Sequence, residues 1–330
     1  MKVLVTGATG FLGVNLVRRL IQEGLMVRAL IRNTSNTLGL ERLDIEKFYG
    51  DVLNRESIAN ALKGCDVVFH TAGIVSLWVP NKQAKKMMWD VNVGGTINVL
   101  EEALKSNVEK VVYTSTVSTI GIKKGEPADE TTSFNLGYLD IDYINSKYEA
   151  EIKAQQILGK GLPLIIVNPS YMFGEWDIKP TSGRMILEMA KGKIIGYPPG
   201  GNNFVDVEDV AKGHFLALKN GKVGERYILA SQNLTYREIF EKIAQIVGVK
   251  PPTMRIPYSL SMGMSYLSEQ WSKHISKKEP MITVGLSKMG YVNHYFTPQK
   301  AIKGIEFSPQ TPIDESIKKA FYWFKRYGYL

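Results

Sequence analysis

A doubly wound α/β fold, a parallel sheet with helices on both faces, is what this sequence predicts, and three observations predict it. A short apolar run, Val3-Leu4-Val5, ends in glycines at positions 7, 10 and 13 and passes at once into an apolar helical pattern at Phe11, Leu12, Leu16, Val17 and Leu20. Short apolar runs then alternate with helical periodicities as far as Val167, as right-handed βαβ units do. The composition, 44% apolar and 22% charged over 330 residues, is that of a folded globular chain. That length suits a large α/β domain with a smaller, mainly C-terminal α/β lobe.

The first strand and helix enclose the turn on which the argument rests. Gly7 lets the chain bend tightly, Gly10 lets the backbone approach a pyrophosphate, and Gly13 lets the helix pack closely on its strand. The helix N-terminus adds unpaired N–H groups and a partial positive charge. A glycine triplet alone also fits an ordinary βα junction; its place between strand and helix favours a dinucleotide. The second strand, Met26 to Ile31, ends at Arg32. An acidic residue near this point binds a ribose 2′-hydroxyl, and an arginine a 2′-phosphate. No Asp or Glu stands between Glu23 and Glu41, so the expected cofactor is NADP(H), with NAD as the alternative and Arg32 and Arg28 on the phosphate.

The next strand, Glu46 to Gly50, leads to Asp51 and Val52. Asp51 either accepts from an adenine amino group or caps the helix over 55–62. Asp66 to His70 forms a buried strand closing on Thr71, Ala72 and Gly73, small enough for a cofactor to lie against the backbone. A long helical segment, Gln83 to Ser106, carries Asn92 and Gly94-Gly95, and the strand Val111 to Tyr113 ends in Thr114-Ser115-Thr116. In such a sheet ligands sit beyond the carboxyl ends of the strands, where all these positions gather.

Tyr143 and Lys147 stand four apart on the next helical pattern and so share a face. A tyrosine with its ordinary pKa of about 10 is a poor base near neutrality, but a neighbouring ammonium lowers it by roughly 1–3 units. Tyr143 then exchanges a proton with a carbonyl or alcohol oxygen held by the hydroxyl of Thr116 or Ser115. Pro169 and Ser170, directly after a strand, are expected at the nicotinamide end.

The set Thr6-Gly7-Ala8-Thr9-Gly10-Phe11-Leu12-Gly13, Asp51-Val52, His70-Thr71-Ala72-Gly73, Asn92-Val93-Gly94-Gly95-Thr96, Tyr113-Thr114-Ser115-Thr116 and Tyr143-x-x-x-Lys147 resembles the extended short-chain dehydrogenase/reductases, the NAD-dependent epimerase/dehydratase family. Pro127 to Thr132, Val167 to Ser170, Asp177 to Thr181 and Phe204 to Val210 resemble its dihydroflavonol-4-reductase-like group, including a hopanoid-associated sugar-epimerase branch. The resemblance implies a Rossmann-type domain and cofactor contacts along Gly7 to Gly13, Thr9, Phe11 and Leu12 included. It also implies a nicotinamide ribose on Lys147 and a supporting role for Asn92. The usual catalytic serine falls on Thr116, with Ser115 as a substitute. A homodimer through the helices over 83–106 and 142–158 is implied as well. The expected activity is hydride transfer between NADP(H) and a ketone, aldehyde or secondary alcohol. The alternatives are a nucleotide-sugar epimerase or dehydratase, with Lys179, Arg184 or Arg226 on a diphosphate, and a non-catalytic NADP-sensing protein.

Residues 1–170, with 204–230 returning, are expected to form the cofactor domain, and 171–203 with 231–330 the substrate lobe. Tyr171 to Pro180 reads as a loop. The segment from Pro251 to Phe296 is rich in methionine and aromatic residues; most of these read as core and some as an adaptable pocket lining. Resting this segment on a membrane is disfavoured because serines and lysines interrupt its apolar face. The net charge of +9 is spread without a dense cluster, which argues against nucleic acid. The four histidines lack metal-ligand spacing, and no apolar run approaches the roughly 20 residues of a membrane span. The single cysteine, Cys65, reads as core. A cytoplasmic protein is expected.

Overall fold

The computed structural model describes residues 1–280 and 282–330. Strand β1 (Lys2–Thr6) alternates Val3 and Val5 against Leu4, and the two sets enter different apolar clusters, so both faces of the sheet are covered. Helix α1 (Phe11–Gln22) follows directly. Then come β2 (Met26–Ile31), β3 (Glu46–Tyr49), α2 (Arg55–Leu62), β4 (Val67–His70), α3 (Lys82–Trp89), α4 (Thr96–Lys105), β5 (Lys110–Thr114), α5 (Asp142–Leu158) and β6 (Leu164–Pro169). Asn54 caps α2, its side chain accepting from Ser57 N at 3.0 Å.

The segment expected as one helix over 83–106 is interrupted. Between α3 and α4 the residues Asp90–Gly95 form a π turn, which inserts one residue into the helical ladder at the two glycines.

The second half opens with β7 (Tyr171–Phe173), α6 (Arg184–Ala190), β8 (Gly196–Tyr197), β9 (Gly201–Asp206), α7 (Val207–Asn220) and β10 (Arg226–Leu229). It closes with β11 (Gln232–Thr235), α8 (Tyr236–Val247), β12 (Met254–Arg255), α9 (Tyr258–Trp271), α10 (Val284–Gly290), β13 (Asn293–His294), α11 (Gln299–Ile305) and α12 (Ile313–Arg326). The start of the expected loop over 171–180 is thus a strand: β7 pairs with β9, and Tyr171 and Phe173 pack on Phe204.

The main sheet is parallel throughout, in the order β10-β6-β5-β4-β1-β2-β3. Strand order reverses beside β1, and the carboxyl ends of β1 and β4 meet at this switch point. Helices α1 and α7 pack on one face and α2, α4 and α5 on the other. A second sheet joins β11, β9, β13 and β7. Around it α6, α8 and α12 bury Ile186, Ile239, Phe240, Ile317, Phe321 and Phe324. Thr235 and Glu238 form a reciprocal capping box at the start of α8.

Candidate active site

Gly7 has φ +71°, and a Cβ there would lie 2.6 Å from Ala72 N, so only glycine lets the β1 turn touch the end of β4. A Cβ on Gly13 would lie 2.1 Å from Gly7 O, so the helix packs on the turn itself. Gly10 is exposed and caps α1 without a side chain. The first N–H groups of the helix therefore face outward with no capping oxygen. Thr9 and Phe11 are half-buried beside this opening and Leu12 is buried. This bare, positively polarised rim fits a pyrophosphate.

Arg32 is exposed at the carboxyl end of β2, with no ion pair among the described residues. Arg28 is not beside it. It is buried, donates to the carbonyls of Ala61 (2.6 Å) and Lys63 (2.7 Å) at the end of α2, and pairs with Glu46 at 2.9 Å. It lies within β2, short of the strand's carboxyl end, and these partners hold it in the interior, so it does not reach a phosphate there. Asp51 does not cap α2, which Asn54 does. Its carboxylate accepts from Leu53 N at 2.9 Å, and Val52 packs beneath Gly95. Thr71 donates to Thr6 O at 2.7 Å, with Ala72 half-buried and Gly73 exposed beyond it.

Asn92 sits in the π turn and is buried. Its oxygen accepts from Ile74 N (2.7 Å), and its amide donates to Ile74 O (3.1 Å) and the Ser146 hydroxyl (3.0 Å). It thereby ties the loop after β4 to the helix that carries Tyr143 and Lys147. His70 bridges the hydroxyls of Thr6 (2.7 Å) and Thr96 (3.0 Å) and stacks on Tyr113. Burial, with the charge of Lys147, pulls its pKa down to about 3, so it is a neutral strut.

Tyr143 is half-buried. Burial pushes its phenol above the ordinary value, and the Thr116 side chain next to it works the other way. Lys147, four residues further along the same helix face, is engaged at the end of β5. Its buried ammonium donates to Thr114 O at 2.9 Å and Tyr113 Oη at 3.2 Å, and burial lowers its pKa to about 8 against the opposing pull of Glu151.

The two hydroxyls after β5 part company. Ser115 donates to the buried carboxylate of Glu151 at 2.5 Å, which also accepts from Thr119 (2.7 Å) and Asn168 (3.1 Å) and pairs with Arg226 at 3.1 Å. Ser115 is thus committed to the interior, whereas the Thr116 hydroxyl, which accepts from Ser118 N at 3.2 Å, has the Tyr143 phenol as a neighbour. Glu151 escaped the sequence reading, although Tyr143, Lys147 and Glu151 stand at successive intervals of four on one helix face. Pro169 is buried at the end of β6, and the Ser170 hydroxyl donates to Asn203 in the second sheet at 2.7 Å. The basic residues considered for a diphosphate are mostly engaged. Arg226 holds Glu151 and the Glu130 carbonyl, and Arg184 holds Glu279 and the Pro280 carbonyl; Lys179 is exposed.

Residues 3–230 match the family model described as the NAD dependent epimerase/dehydratase family. The chain belongs to that family. Among family relatives, a Synechocystis sp. homologue provisionally named dihydroflavonol 4-reductase is 36% identical over 99% of this chain and 95% of its own. The sterol demethylase protein B of Methylococcus capsulatus is 36% identical over 82% of this chain and 81% of its own. Among solved structures, gox2253 superposes with a TM-score of 0.86 at 39% identity, covering 99% of this chain and 98% of the other. A nucleoside-diphosphate-sugar epimerase from Pseudomonas aeruginosa, at 24% identity and a TM-score of 0.83 over 100% and 99% of the two chains, shares the fold. This epimerase/dehydratase family member is accordingly an NAD(P)-dependent enzyme of the short-chain dehydrogenase/reductase type.

Proposed function

We propose that the protein is an NADP(H)-dependent oxidoreductase acting between a ketone or aldehyde and the corresponding secondary or primary alcohol, with Thr116, Tyr143 and Lys147 as its catalytic residues. The observation that carries this reading is the division of labour after β5: Ser115 is locked to Glu151, which leaves Thr116 beside the Tyr143 phenol. The cradle from Gly7 to Gly13 takes the pyrophosphate and Arg32 the 2′-phosphate. Asp51, Val52 and Thr71 to Gly73 line the adenine side, and Lys147 holds the nicotinamide ribose, with Pro169 and Ser170 closing that end. When bound, the nicotinamide supplies the hydride for reduction.

Thr116 Oγ1 holds the substrate oxygen, and Tyr143 Oη gives it the proton that completes the alcohol; oxidation reverses the transfer. A phenol raised by burial keeps its proton at neutral pH, which suits the reductive direction. Tyr143 packs on an apolar cluster of Leu136, Leu139, Ile141 and Ile144 that Leu77, Ile122 and Met289 also border, so the substrate is apolar near its carbonyl. The sterol and flavonol names of the relatives agree with that. A nucleotide-sugar substrate is less well served, because Arg184 and Arg226 already have partners. A pure NADP sensor would not need the Tyr143 and Lys147 pair. The reading includes a cytoplasmic homodimer through α3, α4 and α5, which light scattering tests.

The test is NADPH oxidation with apolar ketones, aldehydes and flavonoid-like compounds, beside nucleotide-sugar isomerisation. Tyr143→Phe is expected to keep NADPH affinity while lowering turnover by roughly 10²–10⁴-fold. Near-native turnover in that variant, or isomerisation of a nucleotide sugar without net NADPH consumption, refutes the reading. Tighter binding of NADH than of NADPH refutes the role given to Arg32.

A further inference from the structure

Helix α9 is amphipathic the wrong way round. Ser261, Ser265 and Ser272 are buried, whereas Leu260, Leu267, Trp271 and, just beyond the helix, Ile275 are 49, 69, 60 and 59% exposed. The serines stand four and seven residues apart, the last just beyond the helix, and the apolar side chains seven, four and four apart, so serines hold one face and large apolar side chains another. The serines that break the apolar pattern of this segment are the seam on which the helix docks. Ser261 bonds Ser287 of α10 at 2.8 Å, and Glu269 accepts from Val284 N at 2.8 Å. Tyr258, Tyr266 and Met254, together with Leu286 of α10, widen the exposed patch.

Charge decides what covers it. Lys250, Arg255, Lys273, Lys277 and Lys278 flank the helix in the chain, and none has an ion pair among the described residues. The two acids of this stretch are occupied, Glu269 at the head of α10 and Glu279 with Arg184. A second copy docking face to face would bring these lysines together. An anionic bilayer surface matches them, and it also suits Trp and Tyr, which settle at membrane interfaces. With 14 residues α9 is too short to cross a bilayer, which takes about 20, and so lies in the surface.

We propose that α9 and its basic flanks dock the protein on an anionic phospholipid surface. The inner side of α9 rests on α10, whose Met289 packs in the same cluster as Tyr143, Leu77 and Leu139. Docking therefore sets the catalytic lobe against the lipid and gives it first access to apolar molecules dissolved there. The proposal does not depend on the hydride-transfer reading and is tested without turnover.

The experiment is co-sedimentation of the whole protein with vesicles of phosphatidylcholine, with and without phosphatidylglycerol. Binding is expected only with phosphatidylglycerol and should weaken as salt is added. Leu267→Ser/Trp271→Ser removes exposed apolar area and is expected to lower the partition coefficient by on the order of tenfold or more. Lys273→Glu/Lys277→Glu/Lys278→Glu should abolish the preference for anionic vesicles; these side chains lie outside the core, so this variant tests the proposal even if the first fails to fold. Absence of wild-type binding, or equal binding by folded variants, overturns it. So does self-association in sedimentation velocity that is lost in Leu267→Ser/Trp271→Ser without any vesicle binding, which assigns the face to a second copy.

Discussion

Replacing Glu151 by glutamine removes a charge that touches neither substrate nor cofactor, yet it should reset the pH range of the enzyme. Glu151 lies one helical turn from Lys147, with Cβ atoms about 5–6 Å apart. At an effective dielectric constant of about 20, opposite charges about 6 Å apart attract by roughly 2.8 kcal/mol, or about two pKa units. The Arg226 guanidinium, 3.1 Å from the other side of the carboxylate, offsets part of this, leaving about one unit. In the native protein Lys147 titrates at about 8, whereas Tyr143 is pushed above its ordinary value. The alkaline limb of kcat/KM for NADPH, which reports the free enzyme, therefore belongs to Lys147. Glu151→Gln should shift that limb down by about one unit while leaving turnover near pH 6 largely intact. The amide also faces Arg226 with a donor, so a stability loss of about 1–3 kcal/mol should accompany the shift. A limb that stays in place despite that stability loss would show that Glu151 is structural only and refute the electrostatic argument.

Other perturbations probe separate parts of the site. Gly13→Ala places a Cβ 2.1 Å from Gly7 O, so it should abolish NADPH binding in calorimetry; native affinity would disprove the close packing. Asn92→Ala strands the two backbone groups of Ile74 and should lower unfolding free energy in urea by about 2 kcal/mol or more; an unchanged midpoint would count against its bracing role. Burial holds His70 near 3 and His214 and His294 near 4, so their imidazole resonances should stay fixed between about pH 8 and 5. Because the unfolded chain takes up these protons first, the three histidines withdraw stability as the pH falls below about 6.5, the ordinary imidazole value. The raised carboxyl of Asp177, at about 6, works in the opposite direction. Any of the three resonances titrating near neutrality would contradict the burial argument.

The parallel sheet and the glycine turn were legible because period and punctuation coincide there: Val3-Leu4-Val5 can only alternate between two covered faces, and Gly13 leaves no room for a side chain. Residues whose role depends on long-range partners were not legible. Arg28 and Arg32 look alike in the sequence and have the same parity along the chain; what separates them is that Arg28 lies within β2, against the end of α2, and Arg32 lies just past its carboxyl end in solvent. Ser115 and Thr116 are adjacent hydroxyls, and a carboxylate 36 positions away from the first separates their fates. Tyr171 to Phe173 reads as loop because its partner strand is thirty residues on and its pairing runs on through aromatic contacts. The serines of α9 mislead for a related reason. Polarity normally marks the wet face, but hydroxyls that satisfy one another can be the dry one.

The Glu151 carboxylate draws on four parts of the chain, and its counterion is supplied last. Ser115, Thr119 and Asn168 are all in place once β6 has formed, but Arg226 arrives with β10, on the far edge of the sheet. A nascent chain that has left the ribosome only as far as residue 170 would hold this buried carboxylate with Lys147 one helical turn away but without the guanidinium that meets it at 3.1 Å, a weaker arrangement than the finished pair. Vectorial synthesis therefore cannot complete the floor beneath Thr116 early. The catalytic wall is finished together with the outermost strand, so that an ordered reaction site reports that the chain has passed residue 226.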